Sequence, residues 1–421
     1  MIQKYFKRAF VRRRMAAGHL SIILKHFVGD LHDRGHTANT IQQYTQAAEH
    51  FGGWLRRRGV PAEKICADHV HRFLSQHLRH CHCPMPAANT LRTCRAAIRR
   101  LMDSLQRHGV VCPTDCPKTP LSGVDRLLLA YDQHLAQVCG LSTSSRRARQ
   151  RYARQFLAWR FGADPPCLRA LRPKDLVTFV SDWARTRTHA GVHDLAVGLR
   201  SFLRFLEFSR RIARPLWCAV PGLAAVPSHQ PPTILQRDEL KRFLKCFDRA
   251  SPGGRRDYAI ALCLARLGLR AAEVAGLSLD DLDWRAMVVR LRKTKQQRER
   301  LLPMPPQVAR AVARYLKAGR PPSPTRALFV RHRAPRGDAL KSHHVRSVVR
   351  LAFARCGIAY TGTHVLRHTW ATHAHRRGLS LKLLGDILGH RCLNTTARYA
   401  HVNLDELRQA ALPWPRREGK P

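Results

Sequence analysis

The stretch GTHVLRHTWATHAHRRG, Gly362 to Gly378, reads as a helix that places His364, Arg367 and His368 at i, i+3 and i+4. Two imidazoles and a guanidinium therefore share one face. Thr363 is the expected N-cap and Gly378 the stop, with Val365, Leu366 and Trp370 as anchors on the other face. Upstream, ARLGLRAAEVAGL sets Arg270 just past a helix end and Glu273 in the next turn, where a carboxylate can hold a guanidinium. The basic turn RKTKQQRER carries Lys293 and Lys295. Downstream, SLKLLGDILGH reads as a helix capped by Ser380, with Leu383, Leu384, Ile387 and Leu388 buried and His390 at its end. A further helix is expected from Asn394, in NTTARY, and it carries Tyr399.

Two arginines, a lysine, two histidines and a tyrosine suit one reaction class, phosphoryl transfer from DNA to a tyrosine with no metal and no other cofactor. Charge builds on the non-bridging phosphate oxygens in the transition state, and arginine forks match that geometry. A phenol with a pKa near ~10 needs a base before it attacks at neutral pH, and the departing 5′-oxygen needs an acid. Losing one such group commonly costs ~10²–10³ in rate.

The composition points to the same partner. In 421 residues, 75 Lys+Arg stand against 28 Asp+Glu, a formal charge of +47. The basic residues lie within periodic segments, as Arg146, Arg147, Arg149 and Arg151 show. A fold this basic repels itself unless a polyanion neutralises it, so double-stranded DNA is the expected partner. The opening MIQKYFKRAFVRRRM has no apolar signal region and reads as a DNA-contacting arm over 1–19. No apolar run approaches a membrane span. The 13 cysteines are scattered and odd in number, as in a reduced cytoplasm. A cytoplasmic, nucleoid-associated protein is expected.

Two proline-rich breaks, Cys112 to Gly123 and Pro221 to Pro232, divide the chain. The helical regions before and after the first break, 20–111 and 122–220, look like copies at a spacing of about 105 residues. Phe51 and Trp54 recur as Phe156 and Trp159; Val70, Phe73 and Leu74 recur as Leu176, Phe179 and Val180. RAAIRRLMDSL from Arg95 is echoed by RSFLRFLEFS from Arg200. From 232 to 412 the pattern is helical apart from a short hairpin, in which Met287, Val289 and Leu291 alternate with arginines and Pro303 ends the second strand. The expected fold is mainly α: two helical domains, then an α-rich catalytic domain with a small β-hairpin, and a tail over 413–421.

The blocks GLRAAEV, RERLLPM, HVLRHTWAT, LGH and TTARYAHV resemble, in order and spacing, the tyrosine recombinases, the family of phage integrases and Xer-type enzymes. The resemblance covers roughly the last 190 residues. It implies that Arg270 and Arg367 clamp the scissile phosphate and that Lys295 protonates the leaving 5′-oxygen. His364 would serve in acid/base transfer, His390 would hydrogen-bond the phosphate, and Tyr399 would be the nucleophile of a 3′-phosphotyrosine link. Lys293 stays open as the lysine, because the turn lacks the glycines usual in the family. The resemblance makes 122–220 the SAM-like core-binding domain and 20–111 an additional copy. It also implies a homo-oligomer on DNA, with a tetramer expected, companion recombinases in some members, and service to a transposon or other mobile element.

The rivals are a type IB topoisomerase-like enzyme and a silent DNA-binding regulator of the same fold. A regulator would be expected to have lost one of Arg270, Arg367 and Tyr399, and the sequence retains all three. His368, His373, His375 and His401 read as packing, helix-face or DNA-contact residues. Cys81, Cys83, Cys112 and Cys116, with His80 or His82, offer a structural zinc site. That is the weaker reading, because C-x-C is tighter than common zinc spacings and proline-rich loops tolerate cysteine.

Overall fold

Apolar residues spaced by three and four positions drive the chain into amphipathic helices. The computed structural model describes all residues except 19, 84–89, 111–121, 163, 223–232, 293–298, 360–361, 390–395, 397–398 and 400–421. Contacts divide the chain into two compact units, one of 1–65, 69–112 and 228–421 and the other of 66–68 and 113–227. No described helix is long and apolar enough to cross a membrane.

The first unit opens with α1 (Ile2–Tyr5) and α2 (Ala9–Ala16). These are not a free arm: Tyr5, Phe6 and Met15 are buried in the first core, and the Tyr5 hydroxyl lies 2.6 Å from Nδ1 of His32. Hydrophobic side chains at the start of the chain outweigh its basic charge. The same core takes in α3 (Ser21–Asp33), α4 (Ala38–Arg57), α5 (Ala67–Ser75) and α6 (Leu91–Arg107). The second unit holds α7 (Gly123–Gln137), α8 (Thr143–Phe161), α9 (Pro173–Ala184) and α10 (His189–Phe208) around its own core.

Each helical region contains the same aromatic triad. Phe51 and Trp54 stack at 6.0 Å and 15°, and Phe73 meets them edge-on at 5.0 and 5.6 Å. Phe156 and Trp159 stack at 6.4 Å and 20°, with Phe179 at 5.3 Å from each. The last helices match in a different register from the one read through Arg95 and Arg200. Burial pairs Ala97, Ile98, Leu101 and Leu105 with Gly198, Leu199, Phe202 and Leu206. The helix ends agree with that register. Val110 N–H donates to Leu105 O at 3.0 Å, and Arg211 N–H to Leu206 O at 2.8 Å, around left-handed Gly109 (φ 68°) and Arg210 (φ 54°). The four-residue slip arises because arginine spacing alone does not distinguish one helical turn from the next.

In the first unit a third core is built by α11 (Arg237–Lys245), α12 (Pro252–Leu267), α13 (Ala271–Gly276), β1 (Leu282–Asp283), β2 (Val288–Leu291), β3 (Arg300–Pro303), α14 (Pro306–Ala318), α15 (Ser342–Arg355) and α16 (His364–His375). α17 (Leu381–Leu388) packs with Ala371 and Tyr399 in a smaller cluster. The expected hairpin is a three-stranded antiparallel sheet, β1-β2-β3, with Val289 opposite Leu302 and Leu291 opposite Arg300. Val289, Leu291 and Leu302 face the core, whereas Met287 precedes the strand at φ 53°. Leu383, expected inside, is 48% exposed, because the buried face of α17 is formed by Leu384, Gly385 and Leu388; Ile387 is half-buried. Thr363 occupies the N-cap position of α16 but makes no side-chain cap bond.

A Cβ at Gly109 meets nothing within 4 Å, so Gly109→Ala isolates the cost of the left-handed backbone. It is expected to destabilise by about 1–2 kcal/mol. Arg210→Gly should stabilise by a fraction of that, since glycine's greater freedom when unfolded offsets part of the gain. Urea unfolding of the full chain measures both; equal effects of the same sign would refute the shared cap.

Candidate active site

The site is built where helix ends meet. α12 ends at left-handed Gly268 (φ 62°), where a Cβ would lie 2.8 Å from the Trp370 ring. Glycine is required there by both backbone and packing. Arg270 then stands at the N-cap of α13 and Glu273 at N3. One carboxylate oxygen of Glu273 accepts the Arg270 backbone N–H at 2.8 Å, and the other accepts from Arg270 Nη1 at 2.8 Å. That second oxygen also accepts from Arg300 Nη2 at 2.7 Å.

Arg300, at the start of β3, reaches across to α17 and donates through Nη1 to Ile387 O at 2.5 Å. The guanidinium lies against Gly389, the left-handed C-cap of α17 (φ 64°), where a Cβ would stand 3.0 Å from Arg300 Cζ. Sequence reasoning gave Arg300 no role. Its signal is position: it opens the strand that follows the basic turn.

Arg367 is 3% exposed and donates through Nη1 to Gly268 O at 2.8 Å and through Nη2 to Leu388 O at 2.6 Å. Both carbonyls lie at helix C-termini, where dipoles favour a cation. Glu273 adds a carboxylate at 4.0 Å. Burial, then the nearby Arg270 charge, lowers the Arg367 pKa to about 10, which leaves it cationic at neutral pH. Three guanidiniums thus surround one carboxylate, an excess of positive charge suited to an anion such as phosphate.

On the same helix, His364 reaches solvent at one edge. Partial burial of the ring, then Arg367, Arg270 and Arg346, hold its pKa below the ordinary 6.5, so it is mainly neutral at pH 7. The His368 ring lies 6.3 Å from that of His364, and His368 Nδ1 is 2.9 Å from the Tyr399 hydroxyl. His368, read from sequence as a packing or surface residue, is therefore the imidazole in contact with the phenol. Tyr399 is 1% exposed and rests against Ala371, Leu384 and Leu388. The structure brings Arg270, His364, Arg367 and Tyr399 together. Lys293, Lys295 and His390 lie outside the described residues.

Comparison with known proteins places these elements in a family context. The phage integrase family matches residues 233–406, and the phage integrase N-terminal SAM-like domain matches 24–109, the region read as the additional copy. The integrase/recombinase y4rA of Sinorhizobium fredii is 35% identical over 415 residues, covering 98% of this chain and 99% of its own. The tyrosine recombinase XerC 2 of Ralstonia nicotianae is 36% identical over 190 residues, or 44% of this chain and 54% of its own. Two solved structures share the fold. The Tn1549 transposon integrase with circular intermediate DNA has a TM-score of 0.53 at 19% identity, over 68% of this chain and 99% of its own. XerH on palindromic difH substrate has a TM-score of 0.52 at 16% identity, over 88% and 96%.

Removing the shared counter-charge should be costly. Glu273→Ala leaves Arg367 and Arg300 buried without it and is expected to lose about 3–5 kcal/mol of unfolding free energy in urea denaturation. A loss under about 1 kcal/mol, the range of a surface pair, would show that other groups neutralise the arginines.

Proposed function

Because the chain belongs to the phage integrase family of tyrosine recombinases, we propose that it cuts and rejoins double-stranded DNA at specific sites through a 3′-phosphotyrosine bond at Tyr399. The observation that carries this reading is the Tyr399 hydroxyl hydrogen-bonded to His368, one residue from the buried Arg367 fork. Arg270 and Arg367 bind the non-bridging phosphate oxygens, and Glu273 and Arg300 fix their positions. The Tyr399 oxygen attacks phosphorus, the bond to the 5′-oxygen breaks, and the phenolic proton passes to an imidazole. His368 orients the phenol, and neutral His364 serves in proton transfer. Lys295, with Lys293 as the alternative, protonates the leaving 5′-oxygen, and His390 hydrogen-bonds the phosphate. Attack by a 5′-hydroxyl on the phosphotyrosine reverses the step, so rejoining needs no ATP.

Arginines of the region 122–220 and of the catalytic region 232–412 bind DNA phosphates, supplying affinity and steep salt dependence, and the region 20–111 extends that footprint, binds separate arm sites or contacts a neighbouring protomer. The enzyme works as a homo-oligomer, a tetramer on paired sites, with companion recombinases where an element supplies them. The enlarged N-terminal layout supports service to a mobile element. Deleting Leu404 to Pro415, which lies outside the described residues, should leave cleavage possible and weaken multimer formation; sedimentation on DNA tests this.

Incubated in EDTA with fragments of the DNA flanking its gene, the protein should form an SDS-resistant adduct with one fragment. Tyr399→Phe should form none; an adduct in both would place the nucleophile elsewhere. At sub-saturating DNA the acid limb of the adduct rate reports the free enzyme. A base must be unprotonated, and His364 titrates below 6.5, so the rate should fall only as pH drops through a midpoint below 6.5. His364→Gln should abolish that limb. A midpoint above 6.5 would remove His364 from the proton path.

A further inference from the structure

We propose that His50, His77, Cys81 and Cys83 hold one structural zinc ion in the first helical region. His50 lies on α4, and His77 opens the 3₁₀ turn His77–His80 that leads into Cys81 and Cys83. Their donor atoms all lie within 4.8 Å of one another. His50 Nε2 and His77 Nε2 are 3.2 Å apart, Cys81 Sγ is 3.3 Å from His50 Nε2, and Cys83 Sγ is 3.5 Å from His77 Nε2.

A tetrahedral zinc bound at ~2.05 Å to nitrogen and ~2.3 Å to sulfur sets N–N edges of ~3.3 Å and N–S edges of ~3.6 Å. The three separations fall within about 0.3 Å of those edges, and the other donor pairs lie within 4.8 Å. Two thiolates and two imidazoles form a closed four-ligand set, the donor chemistry of a structural rather than a catalytic site. Arg57 Nη2 donates to Cys83 Sγ at 2.8 Å, a bond that supports a thiolate ligand from outside the metal.

The second helical region supplies an internal control. Both regions keep the aromatic triad, yet Gln155 precedes Phe156 where His50 precedes Phe51. Trp183 packs on Phe179 at 6.1 Å where His77 packs on Phe73 at 5.2 Å. Where α9 joins α10 through residues 185–188, α5 joins α6 through the much longer stretch 76–90, which carries both cysteines. The region with the long connection is the one whose donors converge, as expected if the metal ties that connection to α4. This differs from the grouping suggested by sequence proximity: His50 and His77, not His80 or His82, face the cysteines. Cys112 and Cys116 lie outside the described residues.

The test is metal analysis of the full chain purified in reductant without chelator, followed by cobalt exchange. About one zinc per chain is expected, and cobalt should give the visible bands of a tetrahedral thiolate site. Cys81→Ser with Cys83→Ser should cut bound metal at least tenfold, while Cys139→Ser, at an exposed cysteine, should not change it. His77→Cys should still bind cobalt but with stronger sulfur charge-transfer absorption, a readout that survives if the serine variants misfold. A wild-type chain with no zinc and no cobalt uptake would overturn the proposal. So would a His77→Cys cobalt spectrum identical to wild type, which would locate the metal on other residues.

Discussion

The catalytic region is organised around one buried cation. Arg367 sits with its fork between the carbonyls of Gly268 and Leu388, the ends of α12 and α17. Taking a guanidinium out of water costs several kcal/mol unless its hydrogen bonds are replaced. Those two carbonyls and Glu273 at 4.0 Å replace them. The arrangement requires both helices to end where they do, which is why left-handed glycines follow at 268 and 389. Trp370 packed on Gly268, and Arg300 lying against Gly389, close the same junction. Arg367 thus ties the two helix ends together and stands at the centre of the junction's positive charge.

Glu273 is the second element of that design. A single carboxylate serves Arg270 and Arg300 directly and Arg367 at longer range, so the arginines are held in place without being neutralised. Uncompensated positive charge in a partly dry site attracts an anion more strongly than the same charge on an open surface. Partial burial, reinforced by that positive field, keeps His364 mainly neutral, the form that accepts a proton. Local charge excess repeats, on the scale of one site, the +47 of the whole chain.

The two helical regions share an aromatic triad but differ in the polar groups around it. Phe51 stacks on Trp54 as Phe156 does on Trp159, and Phe73 meets Phe51 edge-on as Phe179 meets Phe156. Around that fixed triad the polar positions are free to change, and one copy carries a converged set of His and Cys where the other carries Gln155 and Trp183. Packing limits the buried rings Phe51, Trp54, Phe73, Phe156 and Phe179, because losing one of them leaves a cavity.

Sequence alone determined what depends on neighbours a few residues apart. The Arg270–Glu273 pair is an i,i+3 contact, Ser380 caps α17 through the N–H of Leu383, and α16 aligns His364, Arg367 and His368 by helical period. The Phe51–Trp54 and Phe156–Trp159 pairs, also i,i+3, were legible for the same reason. Only the tertiary structure decided which of the distant groups meet. It joined Arg367 to Gly268 across 99 residues, His368 to Tyr399 across 31, and Arg300 to Glu273 across 27. It also packed the basic N-terminal segment as helices, set the α6–α10 register by burial, and brought His50 to Cys81. Periodicity specifies which face of an element is apolar; which polar groups converge depends on how those faces pack, and one helical face can satisfy several packings until the whole core chooses among them.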